Sequence, residues 1–381
     1  METRRLFYED SHLTEFTATV TACDAAETGW AVQLDATAFY PEGGGQACDL
    51  GTIGAAKVLD VQEKEGKILH FCDQQLEIGQ TVTGRIDWDR RFDLMQQHSG
   101  EHIVSGIICS RYGFHNVGFH VGSEMMEIDF DGPVPQEELA LIEQLANEAV
   151  WKNLPIRCWY PSEAELPTVP YRSKKRLEYP VRIVQVPGFD SCACCGVHVK
   201  NTGEIGLIKI VSCVKFHSGV RIELTCGRRA LKLTQGIFEQ NRMVSQAFSA
   251  KMMETGTAAQ KMNQQLSAEK LRANTLQTQL LRQTARGYEN AGNVVHFEEN
   301  LDSAQLRELT DAIARVCGGR AAVFSGSGES WSICMLHPGG DLSGIISALK
   351  EAFPTRGGGK PGTFQGTIQA TRQQIEERFA E

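Results

Sequence analysis

Asp89–Arg111 reads DRRFDLMQQHSGEHIVSGIICSR, and the rest of the chain is organised around it. Phe92, Met95 and Ile103 recur at helical spacing, and Asp89 is placed to cap the first turn. The stretch therefore predicts a helix. His98 and His102 are four apart in it, and residues i and i+4 stand one turn apart on one helix face. Two imidazoles side by side make half of a metal site. Far downstream, Cys192–Val199 reads CACCGVHV and sets Cys194 four residues before His198. Zinc takes imidazole nitrogen and thiolate sulfur in tetrahedral geometry. His98, His102, Cys194 and His198 are therefore expected to close on one Zn2+, with Cys195 open as an alternative to Cys194. Asp190 is placed to accept a hydrogen bond from a ligand histidine.

The segments around this helix predict an α+β fold. Residues 14–88 read as short strands separated by turns (Phe16–Cys23, Trp30–Ala36, Ala56–Val61, Lys67–Cys72, Thr81–Arg85), the pattern of a small β-barrel. Inside them lies Phe39–Gly51, FYPEGGGQACDLG. Its three glycines let a backbone approach a ligand closely, and Glu42 and Gln46 bracket them. After Asp89–Arg111 come a helix at Gln136–Asn153 and strands at Ile156–Tyr160, Val181–Val186, Ile205–Val214 and Val220–Cys226. A long helical stretch follows. Thr255-Gly256 breaks it, and Thr257–Gln260 reads as a capping box for a helix running to Arg286. Ala259, Met262, Leu266, Ala273, Leu276 and Leu280 fall on heptad positions, fitting either a dimer contact or packing on the same chain. The last segment reads as a small α/β unit with helices at Ser303–Val316, Leu342–Phe353 and Thr367–Phe379. Its glycine stretch Arg356–Gln365, RGGGKPGTFQ, is expected to hold a phosphate of RNA at Lys360. Four domains are expected: a barrel over 1–88, a zinc-binding domain over 89–228, a helical hairpin or coiled coil over 229–288 and a glycine-rich domain over 289–381.

Composition narrows the function. With 381 residues, 41% hydrophobic and 22% charged, the chain has the make-up of a globular protein. No run reaches the roughly 18 apolar residues of a membrane span, and the first residues lack the apolar core of a signal peptide. A cytoplasmic location is expected. Twelve cysteines spread over such a chain point to thiols and metal ligation rather than disulfides. The net charge of −9 argues against a general nucleic-acid binder and leaves only local patches. The one basic run, Arg172–Arg176, fits a solvated loop.

His98–His102 also fits H-x-x-E-H, with Glu101 as the general base of a metallopeptidase and Glu178 as third ligand. That reading leaves Cys194 and His198 without a purpose.

Taken together, the motifs resemble the long form of the stand-alone alanyl-tRNA editing proteins, relatives of the editing domain of alanyl-tRNA synthetase. FYPEGGGQ is followed by Asp49-x-Gly51, then by Gln97-His98-x-x-x-His102, and then by G-x-D-x-x-x-C-x-G-x-H from Gly188 to His198. Val197 stands where the family carries threonine, and Ser99-Gly100 where it often carries Thr-Ala. The resemblance implies hydrolysis of serine or glycine mischarged on alanine tRNA. It implies metal ligands at His98, His102, Cys194 and His198 and contact with the tRNA acceptor end; the heptad pattern, read as a dimer contact, gives a homodimer through residues 229–381. A hydrophobic pocket rejects an added hydroxyl poorly, whereas a site that hydrogen-bonds the hydroxyl discriminates well. Thr37 resembles the family threonine suited to that task. Gly43, Gly44 and Gly45 would admit the ester and terminal adenosine, Gln46 would orient water, and the general base stays unassigned. A non-catalytic tRNA-binding protein is the remaining reading.

Overall fold

A computed structural model of the chain describes residues 3–173 and 177–380. Residues 174–176 of the basic run lie outside the described residues. The fold is mixed α+β and divides into two compact units, Met1–Arg242 and Met243–Glu381. Among the described residues no helix is long and apolar enough to cross a membrane.

In the first unit six antiparallel strands close into a barrel. Their order is Glu15–Ala25, Trp30–Leu34, Lys67–Cys72, Ala56–Lys64, Gly51–Ile53 and Thr81–Ile86, which pairs back onto the first. The chain leaves the barrel directly into the helix Trp88–Tyr112. Its cap is Asp87 rather than Asp89: the Asp87 side chain accepts from the Arg90 N–H at 3.2 Å. Asp89 lies one residue inside the first turn. The backbone of Asp87 is held by the Leu50 carbonyl, so the barrel edge fixes where the helix starts. From Leu94 to Ile108 every residue is buried. The helix Leu139–Trp151 and the strands Asp190–Ala193, Gly219–Cys226 and Asn116–Val121 pack around it. A helix enclosed on all sides cannot leave its polar residues to water, so His98, Ser99, Glu101 and His102 must find partners inside.

Two further sheets complete this unit. One runs in the order Ile208–Phe216, Gly219–Cys226, Met126–Phe130, Asn116–Val121, all antiparallel. The other runs Arg157–Trp159, Ile183–Val186, Asp190–Ala193. Barrel and sheets share one hydrophobic core that continues across residue 88, from Phe7 to Cys226. A buried ion pair stitches it. Arg91, fully buried, binds Asp49 through two nitrogens and also donates to the carbonyls of Ala38 at 2.5 Å and Ser11 at 2.9 Å.

In the second unit the helix Thr255–Arg286 starts two residues before the expected capping box and takes Glu254 as its N-cap without a side-chain bond. A five-stranded sheet follows, in the order Gly292–Glu298, Gly318–Ser327, Ser330–Leu336, Thr363–Gln369, Thr355–Gly358. The helix Ser303–Val316 has the expected bounds, with Asp302 and Gln305 forming its capping box. The glycine stretch departs from expectation. It is the hairpin of Thr355–Gly358 and Thr363–Gln369, and the final helix begins only at Arg372. Gly357 faces Gly366 across this hairpin. The glycines there serve close strand pairing, and Lys360 sits at the hairpin end with its N–H on Thr363 Oγ1. Among the described residues no helix starts beside Lys360; the next begins at Arg372.

Candidate metal centre and active site

The enclosed helix brings His98 and His102 to one spot, and the turn after strand Asp190–Ala193 brings Cys194 and His198 to the same spot. One ligating atom from each of the four lies within 4.8 Å of every other. Cys194 Sγ stands 3.4 Å from His98 Nε2 and 3.5 Å from His198 Nε2. With Zn–S about 2.3 Å and Zn–N about 2.05 Å, a tetrahedron has an S···N edge of about 3.6 Å. The donor set thus fits a tetrahedral ion. Cys195 faces elsewhere, its Sγ 3.8 Å from the Tyr40 hydroxyl.

Each imidazole is turned by a partner on its other nitrogen. His98 Nδ1 meets Gln46 Oε1 at 2.8 Å, His102 Nδ1 meets Asp190 Oδ2 at 2.8 Å, and His198 Nδ1 meets Ser99 Oγ at 3.1 Å. A donor on Nδ1 leaves Nε2 as the lone-pair nitrogen, the arrangement that orients metal-binding histidines. Gly196 N–H donates to Cys194 Sγ at 3.3 Å, and Arg182 pins the turn by donating to the carbonyls of Cys194 and Gly196. Position 196 tolerates only glycine, since a Cβ there would sit 2.1 Å from His98 Cε1.

Electrostatics lead the same way. Burial, and then the neighbouring Cys195 and Cys192, push the Cys194 thiol well above its ordinary range. Burial, and then His98 and His102, hold His198 well below the usual imidazole value. Neutral imidazole is the ligating form, and a thiol in such a place releases its proton readily only when a cation takes its place on the sulfur.

Three of the four, His98, His102 and Cys194, border a cavity of about 340 Å³ whose wall includes Gly44, Gly45, Glu101, Phe119 and Arg172. Gly43 and Gln46 exchange backbone hydrogen bonds, both at 3.0 Å, and close a tight turn with Gly44 and Gly45 at φ +58° and +81°. Glycine takes that conformation without strain. Gln46, expected to orient water, is buried. Its Oε1 is committed to His98, and its Nε2 has no hydrogen-bond partner. Thr37 is fully buried and lies outside the cavity lining. Its hydroxyl meets His70 Nε2 at 2.8 Å and accepts from the Phe39 N–H at 3.1 Å. Glu42 points away from the cavity, to Gln62. Lys360 belongs to the other unit, where it lines a cleft with Arg307 and Phe364.

Asp190 accepts from His102 as expected, and from Arg172 at 2.7 and 2.9 Å. Arg172 was read as part of a solvated run, but its guanidinium is mostly buried in this pairing. Its carboxylate partner lies beyond the run, so local composition gave no sign of it. Glu178, the ligand a peptidase would need, is exposed and stands outside the donor set. Phe119, which lines the cavity, and Asn116, which donates to Glu101, carried no signal in the sequence: they sit on a short edge strand of mixed polarity.

Comparison with known proteins agrees with this geometry. Residues 181–223, which supply Cys194 and His198, match the family described as the threonyl and alanyl tRNA synthetase second additional domain. Residues 3–90 match class II (A) tRNA synthetases. The alanine–tRNA ligase of Ignicoccus hospitalis is 38% identical over 60% of this chain, which spans only 26% of that enzyme. The alanyl-tRNA editing protein Aarsd1-A of Xenopus laevis is 29% identical over 96% of this chain and 94% of its own length. Aarsd1 of Mus musculus is 28% identical over 97% and 95%. A solved C-Ala domain of Aquifex aeolicus alanyl-tRNA synthetase overlaps 23% of this chain and 91% of its own at 17% identity and a TM-score of 0.19, too slight a likeness to bear on the fold. Over nearly the whole length of both, the chain is thus similar to alanyl-tRNA editing proteins, and residues 181–223 are similar to the second additional domain of threonyl and alanyl tRNA synthetases.

Proposed function

We propose that this protein is an aminoacyl-tRNA deacylase that removes serine, and with it glycine, from mischarged alanine tRNA. The observation that carries this reading is the convergence of His98, His102, Cys194 and His198 beside the Gly44–Gly45 turn, in a chain homologous to editing proteins. A zinc ion held by the four would supply Lewis-acid charge beside the ester. The chain's own groups do the rest. Gln46 orients His98 through Oε1 and keeps its buried Nε2–H for a substrate or water oxygen. The glycine turn lets the backbone approach the ester and terminal adenosine of the acceptor end. Thr37 gives its hydroxyl hydrogen to His70 and accepts from Phe39; buried outside the cavity lining, it is given no direct contact with the serine hydroxyl in this reading. That all twelve cysteines are free supports a reducing, cytoplasmic setting. Met262, Leu266, Leu276 and Leu280 are 47–60% exposed along one helix, which supports a homodimer through the second unit. Glutamate at Leu276 and Leu280 is expected to turn a dimer into a monomer in analytical ultracentrifugation.

The test is deacylation. Purified protein should release serine from Ser-tRNA(Ala) and act on Ala-tRNA(Ala) at least about tenfold more slowly. Absence of release from both Ser-tRNA(Ala) and Gly-tRNA(Ala) would sink the reading.

A further inference from the structure

We propose that Phe119 sets the upper size of the aminoacyl group that this site accepts; the inference rests on the deacylase reading above. Phe119 lies on the edge strand Asn116–Val121 and lines the cavity with His98 and His102. Its ring stands 5.1 Å from the His98 ring, centroid to centroid, with the planes at 34°. It also meets the glycine turn: a Cβ on Gly45 would come within 2.5 Å of Phe119 Cδ1 and 3.0 Å of its carbonyl oxygen. One residue thus packs on both a metal-ligand histidine and the turn that admits the ester.

Phe119 is a fixed wall. Its strand is held in register, with Phe119 opposite the fully buried Ile128. Its ring is packed against His98 and Gly45, and packed groups yield little to an intruding one. The side chain carries no hydrogen-bonding group, so it selects by shape alone. Val117, two residues away and therefore on the same strand face, also lines the cavity and is 60% exposed, which extends the apolar wall to the surface. The ester carbonyl reacts beside the metal ligands, and the aminoacyl group is bonded directly to that carbonyl. It is therefore the aminoacyl group that meets the ring on His98, while ribose and adenine lie further along the chain of bonds. The cavity of about 340 Å³ is near the lower end of the roughly 300–1,000 Å³ of small-molecule sites. A serine side chain fits against Phe119, and a branched leucine side chain would have to displace the ring. A site of this kind hydrolyses only what is small enough to enter it.

The experiment varies the size of the acyl group. Seryl, threonyl and leucyl esters are made on one tRNA(Ala), and kcat/KM is measured for each with wild type, Phe119→Leu and Phe119→Ala. Wild type should use the leucyl ester at least about a hundredfold less well than the seryl ester, with the threonyl ester between them. The ratio of leucyl to seryl kcat/KM should rise by at least about tenfold in Phe119→Ala, and by less in Phe119→Leu, which keeps an apolar group against His98 and Gly45. Bound zinc should be unchanged. Equal use of seryl and leucyl esters by wild type would overturn the proposal without any variant. So would variants that slow all three esters by the same factor, which is what a merely structural role predicts, or loss of zinc from both variants. If wild type hydrolyses none of the three esters, the deacylase reading is what fails.

Discussion

His70 makes the first unit sensitive to acid. It is fully buried in the barrel, where its Nδ1 meets the Val32 carbonyl at 3.0 Å and its Nε2 meets the Thr37 hydroxyl at 2.8 Å. A neutral ring that donates from Nδ1 and accepts at Nε2 satisfies both contacts. Burial pulls its pKa down from 6.5 to about 4, against a small opposing pull from the Val32 carbonyl. The unfolded chain therefore takes up a proton near pH 6.5, while the folded chain resists until about pH 4. The stabilisation is present above pH 6.5 and is lost as pH falls to about 4. At 1.36 kcal/mol per pKa unit the loss comes to about 3 kcal/mol. Urea denaturation at pH 7, 5.5 and 4.5, followed by the fluorescence of Trp30 and Trp88, measures it. Other groups titrate over this range too, so the decisive quantity is the difference in slope between wild type and His70→Gln. The variant should begin less stable at pH 7, having lost a fitted ring, and should lose about 3 kcal/mol less on acidification. Equal slopes would refute the reasoning, as would a His70 imidazole that titrates above pH 5.5 by NMR.

Three further outcomes are expected. Asp190→Asn should weaken zinc binding by about 10- to 100-fold, because the second partner of His102 is lost; competition with a chromophoric chelator reads it directly. Gly196→Ala should displace the His98 ring and lower zinc affinity by at least about tenfold, measured the same way, with the fold retained by circular dichroism. Arg91→Met should cost about 3–5 kcal/mol by stranding Asp49, whereas the pair Arg91→Met with Asp49→Leu should recover most of it; urea midpoints of the three proteins test this.

The ligand helix could be read from the sequence because its evidence was local. His98 and His102 lie on one face at a spacing that only a helix makes useful, and the strand pattern of the barrel is likewise local. Cys194 and His198 reach the same point without a helix: they lie in a turn after a strand, closed by Gly196 and Arg182. Their spacing named the pair without giving its geometry. What could not be read depends on distant pairing. The strands Asn116–Val121 and Met126–Phe130 are short and mixed in polarity, and exist because Gly219–Cys226 pairs with Met126–Phe130. Arg172 looked like surface because nothing near it in sequence announces Asp190 as its partner. The 356–365 stretch is ambiguous for the opposite reason: glycines suit a phosphate cradle and a close strand pair equally well, and the register with Gly366 shows the pairing.

The Arg91 guanidinium touches three separated segments, at Ser11, Ala38 and Asp49, from a helix that begins where the barrel ends. Residues that hold the glycine turn and residues that carry the ligand histidines are therefore not detachable parts. A fragment ending at Ile86 would leave Asp49 charged and exposed to an open core, and one starting at Trp88 would carry an arginine with nowhere to go. In any recombination among relatives, barrel and ligand helix should be inherited together, and chimaeras joined between them should fail to express as soluble protein.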